Sequence, residues 1–276
     1  MNLIDERFEL LSLVVRLGDS PFFCRASDDY QKELNEAFAM HKDHPAIVFY
    51  NKHLKDIAID KLFCYAFHLV KQGDVFVLVD NLDDLEFGEM NHWIQQAAMD
   101  FLPLLNDFYR KTNFSEFFAS HADFYAKASA RFAKKYVSKV DMEWFRPYIN
   151  PAKLHCVLAV SFNSGFAGFA DGEGFLVLAE EIAKRYPGVI AKVYCYFIAK
   201  PLAEEWFAQN EEFRSWCNYD IPRCSGAKNT AHDYAAVAFK ILYQVQHGGN
   251  LDKLLRKKKR DGLTYIEQVY DLIQKA

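Results

Sequence analysis

The chain has 276 residues, of which 51% are hydrophobic and 25% charged, and its net charge is −4. This length and balance can bury a large core without disulfides or metal; they exclude a disordered chain and leave no overall positive field to hold nucleic acid. Aromatic residues reach 16%, with 25 Phe and 15 Tyr among them, so large rings are expected to fill the space between packed helices.

Ile4, Phe8, Leu11, Val14 and Leu17 recur at helical spacing and predict a first helix over 3–17, stopped by Gly18. A second is expected over 29–41, with Tyr30, Leu34, Ala37 and Phe38 on one face. Pro45 suits the first turn of a third. Residues 62–70 belong to a fourth, closed by Gly73, and the apolar, β-branched run 75–79 reads as a short strand. From 89 to 136 the pattern is helical, with a break near Lys111, Thr112 and Asn113. Phe114, Phe117, Phe118, His121, Phe124 and Tyr125 form an aromatic stripe there, which at helical spacing is a core face.

The texture changes near Pro151. Residues 154–162 and 175–179 read as strands around the turns Asn163-Ser164-Gly165 and Asp171-Gly172-Glu173-Gly174. The charge-free run 154–170 is too short and too rich in turn residues to span a membrane. Glu180 and Glu181 suit a helix start. A long helix over 189–207 is apolar nearly all round. Asn229 or Thr230 can cap another that runs to about 246, and a last helix covers 265–275. Six of the eight residues from Lys253 to Arg260 are basic and read as a solvated helix end before the turn at Asp261-Gly262. The expected class is α+β, predominantly helical. The expected division is a helical region 1–150 and a region 151–276 with a small β element, together one compact unit.

None of the six cysteines forms a C-x-x-C pair, and the spacing of Cys217 and Cys224 fits no common zinc knuckle. Several lie in apolar runs, where a thiol behaves as a small core residue. The opening residues show no signal peptide, so the expected location is the cytoplasm, with reduced thiols.

Five segments in order resemble a bacterial family of unknown function in the zincin-like peptidase group. They are the opening Phe8-Glu9-Leu10-Leu11-Ser12-Leu13-Val14-Val15-Arg16-Leu17, the turn His41-Lys42-Asp43-His44-Pro45-Ala46, the helix Val193-Tyr194-Cys195-Tyr196-Phe197-Ile198-Ala199-Lys200-Pro201-Leu202, the helix Thr230-Ala231-His232-Asp233-Tyr234-Ala235-Ala236-Val237-Ala238, and the closing Arg260-Asp261-Gly262-Leu263-Thr264-Tyr265-Ile266. The resemblance implies a zincin-like C-terminal region in which a long buried helix once carried H-E-x-x-H. In that motif two imidazoles one turn apart hold zinc, and the Glu acts as general base on its water.

This sequence departs from the motif. The two His positions fall on Lys192 and Tyr196, the Glu position on Val193, and the third-ligand position on Asp233, where alone a carboxylate survives. A protonated Lys repels a dication, and Val moves no proton. The resemblance therefore implies a catalytically silent relative, with no metal and no cofactor, whose former groove over Lys192, Val193, Tyr196, His232 and Asp233 binds a peptide or protein. No nucleic-acid or membrane partner is expected. The alternative is a hydrolase with a rearranged site drawn from Asp233, His232, Cys195 and Tyr196. His41 and His44, three apart, suit a helix end better than a metal.

Overall fold

The computed structural model describes residues 3–18, 20, 28–57, 59–78, 95–170, 173–208 and 231–275. In chain order these form α1 (Glu6–Leu17), α2 (Asp29–Phe38) with a 3-10 turn Ala39–His41, α3 (Pro45–Phe49) continuing into a π turn Tyr50–Leu54, and α4 (Ile59–Phe67). The hairpin β1 (Leu69–Gln72) and β2 (Val75–Leu78) follows, then α5 (Gln95–Lys111), α6 (Phe114–Ser120), α7 (Ala122–Lys135) and α8 (Met142–Phe145). Next come β3 (Leu154–Ala159), β4 (Gly165–Ala170), β5 (Glu173–Ala179) and α9 (Glu180–Arg185). The chain closes with α10 (Val189–Ala208), α11 (Ala231–Gln246), α12 (Leu251–Arg260) and α13 (Ile266–Lys275). The protein is thus predominantly helical with two small sheets. Among the described residues no helix is long and apolar enough to cross a membrane.

The expected strand at 75–79 is present over Val75–Leu78, Val79 lying outside the described residues. Its partner was read as the end of the fourth helix: Leu69 and Val70 instead pair with Leu78 and Val77. Gly73, at φ +61, makes the turn between the strands. Residues 89–94, the cap candidates Asn229 and Thr230, the turn residues Asp171 and Gly172, and Cys24, Cys217 and Cys224 also lie outside the described residues.

The chain divides into two units, and not at the expected boundary. Unit 1 is 1–139 with 154–187, and unit 2 is 140–153 with 188–276. The β element joins the N-terminal helices because its hydrogen bonds and core are made there. The Leu158 N–H donates to the Leu3 carbonyl at 2.7 Å, and Val157, Phe162 and Val177 share one core with Phe8, Phe63 and Phe101.

In unit 1, α1 is the central helix. Asp5 caps it by accepting from the Arg7 N–H at 2.9 Å, and every residue from Phe8 to Leu17 is buried. Gly18 ends it: a Cβ there would collide with the Tyr50 ring and the Asn51 side-chain oxygen. His44 caps α3, its Nδ1 accepting from the Ala46 N–H at 3.2 Å, while its Nε2 lies 3.3 Å from Asp107. On α5, Asn106 accepts from the Phe76 N–H at 2.6 Å and donates to the Phe76 carbonyl at 2.8 Å. It thereby satisfies the open edge of β2 as a neighbouring strand would. In the three-stranded sheet β5 is central, parallel to β3 and antiparallel to β4.

Two charged residues seven apart on α1 fasten the turn after β3. Glu9 accepts from the Val160 N–H at 3.3 Å, and the Arg16 guanidinium donates to the Ser161 carbonyl and, at 3.1 Å, to Asn35. Both are almost fully buried, so each must be hydrogen-bonded to be tolerated. The Tyr30 hydroxyl meets Glu9 at 3.3 Å and the Tyr125 hydroxyl at 2.8 Å. Burial pushes the Glu9 carboxyl up to about 7, against the opposing pull of the Val160 N–H and the Tyr30 hydroxyl.

Unit 2 is built on α10 packed along α11, with α13 against α11. The short α8 closes it with aromatic rings. Phe145 stacks on Tyr243 at 5.3 Å and meets Tyr194 edge-on at 6.1 Å, and Trp144 packs on Phe239 and Tyr243. Asp141, the cap of α8, donates its N–H to the Tyr243 hydroxyl at 3.1 Å.

Candidate functional site

The residues singled out in the sequence fall on α10 and α11, two neighbouring helices of unit 2. Lys192 and Tyr196, one turn apart on α10, are exposed, and Val193 between them is half-buried. Asp233 is half-buried near the start of α11 and takes part in an interaction of its own. His232 lies on the same helix, and its side chain is outside the described residues.

Cys195 has 0% exposure, and burial pushes its thiol up to about 12. A thiol held protonated in an apolar interior is a packing group and not a nucleophile. The rest of α10 explains this. Tyr194, Phe197, Ile198 and Ala199 are all buried, and among the described side chains of α10 only Lys192 and Tyr196 are exposed.

Sequence reasoning missed Lys240. It sits on α11 seven residues beyond Asp233, half-buried, in a run that is otherwise apolar from Tyr234 to Tyr243. Burial lowers its pKa, and the charges of Lys192, Lys258 and Lys257 lower it further. Lys192 of α10 and Lys257 and Lys258 of α12 therefore lie close enough to Lys240 for their charges to act on it. Lys258 reaches Asp261 at 3.2 Å. Among the described residues no carboxylate pairs with Lys192, Lys240 or Lys257. The signal available in the sequence was a single lysine interrupting ten residues of core pattern.

The basic run at 253–260 forms the expected helix, α12, capped by Asn250. Only Leu255 of its residues is buried, so its cations face solvent. Unit 2 carries fifteen basic and twelve acidic residues, net +3, while unit 1 carries eighteen and twenty-five, net −7. The overall charge of −4 conceals that asymmetry. The chain matches no protein-family model, no curated protein and no solved structure.

Proposed function

We propose that the protein is a catalytically silent, zincin-like binding protein whose α10–α11 face takes a carboxylate-rich peptide segment of a partner. The observation that carries this reading is the lysine cluster of Lys192, Lys240, Lys257 and Lys258. An ammonium stands where the resemblance places the first metal-binding imidazole. Lys240 feels its charge together with those of Lys257 and Lys258, a field that repels a divalent cation and attracts carboxylates. Lys240 is the strongest element of the set. A half-buried ammonium with no carboxylate partner among the described residues is costly, and an arriving anion relieves both its desolvation and the repulsion from its neighbours. Tyr196 adds an exposed ring, the type of side chain that anchors peptide contacts.

The test pairs a fluorescent oligoglutamate peptide with its oligolysine counterpart on the full chain, while bound zinc is measured by mass spectrometry. The acidic peptide is expected to bind and to lose affinity as salt rises. Lys240→Met and Lys192→Glu are each expected to weaken binding by about tenfold, the order of one lost charge pair. Stoichiometric zinc that survives dialysis, or equal binding of the two peptides, overturns the reading.

A further inference from the structure

A second place, wholly within unit 1, has the makings of a ligand site. A cavity of about 570 Å³ opens at the carboxyl ends of the parallel strands β3 and β5. Ligands of open sheets collect at such ends, because the backbone there leaves the sheet and frees space beside it. Three structural pieces line it. From α7 come Phe124, Ala128 and Arg131, spaced four and three residues apart on one face. The first turn of α2 supplies Asp28 to Gln31. Leu158 comes from the end of β3, and Phe162 and Glu181 follow β3 and β5.

Phe124 departs from the expected core stripe. Phe114 and Tyr125 are buried, but Phe124 is 40% exposed, and its ring stacks on that of Tyr30 at 5.1 Å. The cavity therefore has an aromatic wall with one open face, that of Phe124, while Phe162 and Leu158, also in its lining, are 1% and 2% exposed. Its polar floor is already committed. The Gln31 amide donates to the Val160 carbonyl at 3.1 Å and to Asn163 at 3.2 Å, and is 1% exposed.

The mouth is acidic. Asp28, Asp29, Glu180 and Glu181 stand around it, and Arg131, the one base among the described lining residues, is bonded to Glu180 at 2.7 Å. Lys135 also approaches Glu180, at 3.6 Å, and Lys32 holds Asp29 at 2.9 Å. Asp28 accepts from the Gln31 N–H at 2.9 Å and keeps acceptor capacity in reserve. Glu181 has only Lys184 at 3.9 Å. The net charge of −7 on unit 1 deepens the negative field at this opening.

We propose that this cavity binds a small organic cation, an ammonium or guanidinium carried on an apolar stem or ring. The stem lies against the open face of Phe124, and the head sits at the mouth near Asp28 and Glu181. Rings and carboxylates together select an alkylammonium over a bare metal ion. A hard cation needs several oxygens converging on one point, whereas here the carboxylates ring an apolar interior. This site is independent of the lysine face of unit 2 and favours the opposite charge.

The experiment titrates the full chain with 2-phenylethylamine, 2-phenylethanol and 3-phenylpropionate, followed by calorimetry and by the amide resonances of Ala128 and Ala159. The amine is expected to bind about tenfold more tightly than the alcohol, the carboxylate more weakly than either, and the shifts to centre on those two amides. Phe124→Ala and Glu181→Gln, both at exposed positions, are each expected to weaken the amine by roughly fivefold with the melting temperature unchanged. Equal binding of amine and alcohol, no binding of the amine at about 10 mM, or full affinity in both variants overturns the proposal.

Discussion

The Tyr30 and Tyr125 hydroxyls stand 2.8 Å apart in the interior of unit 1, and Tyr30 also reaches the Glu9 carboxyl. This arrangement makes stability depend on pH in an uncommon direction. Burial raises the Glu9 pKa to about 7 from the ordinary 4.5 of a glutamate, so the folded state holds a proton that the unfolded state releases. The advantage is complete below pH 4.5 and is lost as pH rises toward 7. It amounts to about 3 kcal/mol at 1.4 kcal/mol per pH unit. Denaturant titrations of wild type and Glu9→Gln at pH 5 and pH 8 should therefore diverge. The variant should gain on wild type by about that amount at the higher pH, because its amide is never charged. A difference that stays constant across the range would remove this role for Glu9.

Asn106 supplies both hydrogen bonds that close the edge of β2 at Phe76. Asn106→Ala leaves a buried N–H and a buried carbonyl without partners, each a loss of about 1–3 kcal/mol. The expected destabilisation is about 2–3 kcal/mol by chemical denaturation. Faster hydrogen exchange at Phe76 and its neighbours in the β1–β2 hairpin should accompany it.

At Gly18 the restriction is space and not backbone conformation, since its φ of −79 suits any residue. Gly18→Ala drives a methyl group into the Tyr50 ring. Overpacking of this kind costs about 1–3 kcal/mol. A double variant with Tyr50→Leu should recover part of the loss, which a thermal melt can read.

Lys240 is the lysine whose pKa is lowered by burial and by three neighbouring ammonium groups. More of it is uncharged near pH 8 than of an ordinary lysine, so an amine-acylating reagent should label it first in a mass-spectrometric time course. Oligoglutamate should protect it. The cost of holding its charge is greatest at low pH and eases as pH rises through its folded pKa. Lys240→Met should accordingly be more stable than wild type at pH 6, by a margin that shrinks toward pH 10.

Much of the helical framework was legible from spacing alone. The first helix, the Pro45 start, the break at Asn113 and the long helix at Val189 were all readable because apolar period and punctuation coincide there. Asn113 itself takes φ 52, which explains the break. Two kinds of feature were not legible. Leu69 and Val70 continue the apolar run of α4, and only pairing with Val77 and Leu78 draws them into a strand. A stripe such as Phe114 to Tyr125 also carries no mark of which ring faces the core, so Phe124 read as buried. The boundary near Pro151 rested on a change of texture, whereas the contacts that assign 154–187 to the first unit lie far away in sequence, at Leu3, Glu9 and Arg16. On the candidate face, positions 192, 193 and 196 were singled out in the sequence through the resemblance. Lys240 was not, because its meaning arises from three other lysines brought to it by α10 and α12.

The bond from Leu158 to the Leu3 carbonyl has a bearing on how the molecule is made. Its first helix is synthesised well ahead of the strands that enclose it, which span 154–179. At roughly 5–20 residues per second, α1 waits about 7–30 s on the ribosome before the Val160 N–H and the Ser161 carbonyl exist to meet Glu9 and Arg16. Cutting the gene at codon 150 would strand that helix permanently and take α8 from its own partners. Neither half could be rescued by expressing the two pieces in isolation.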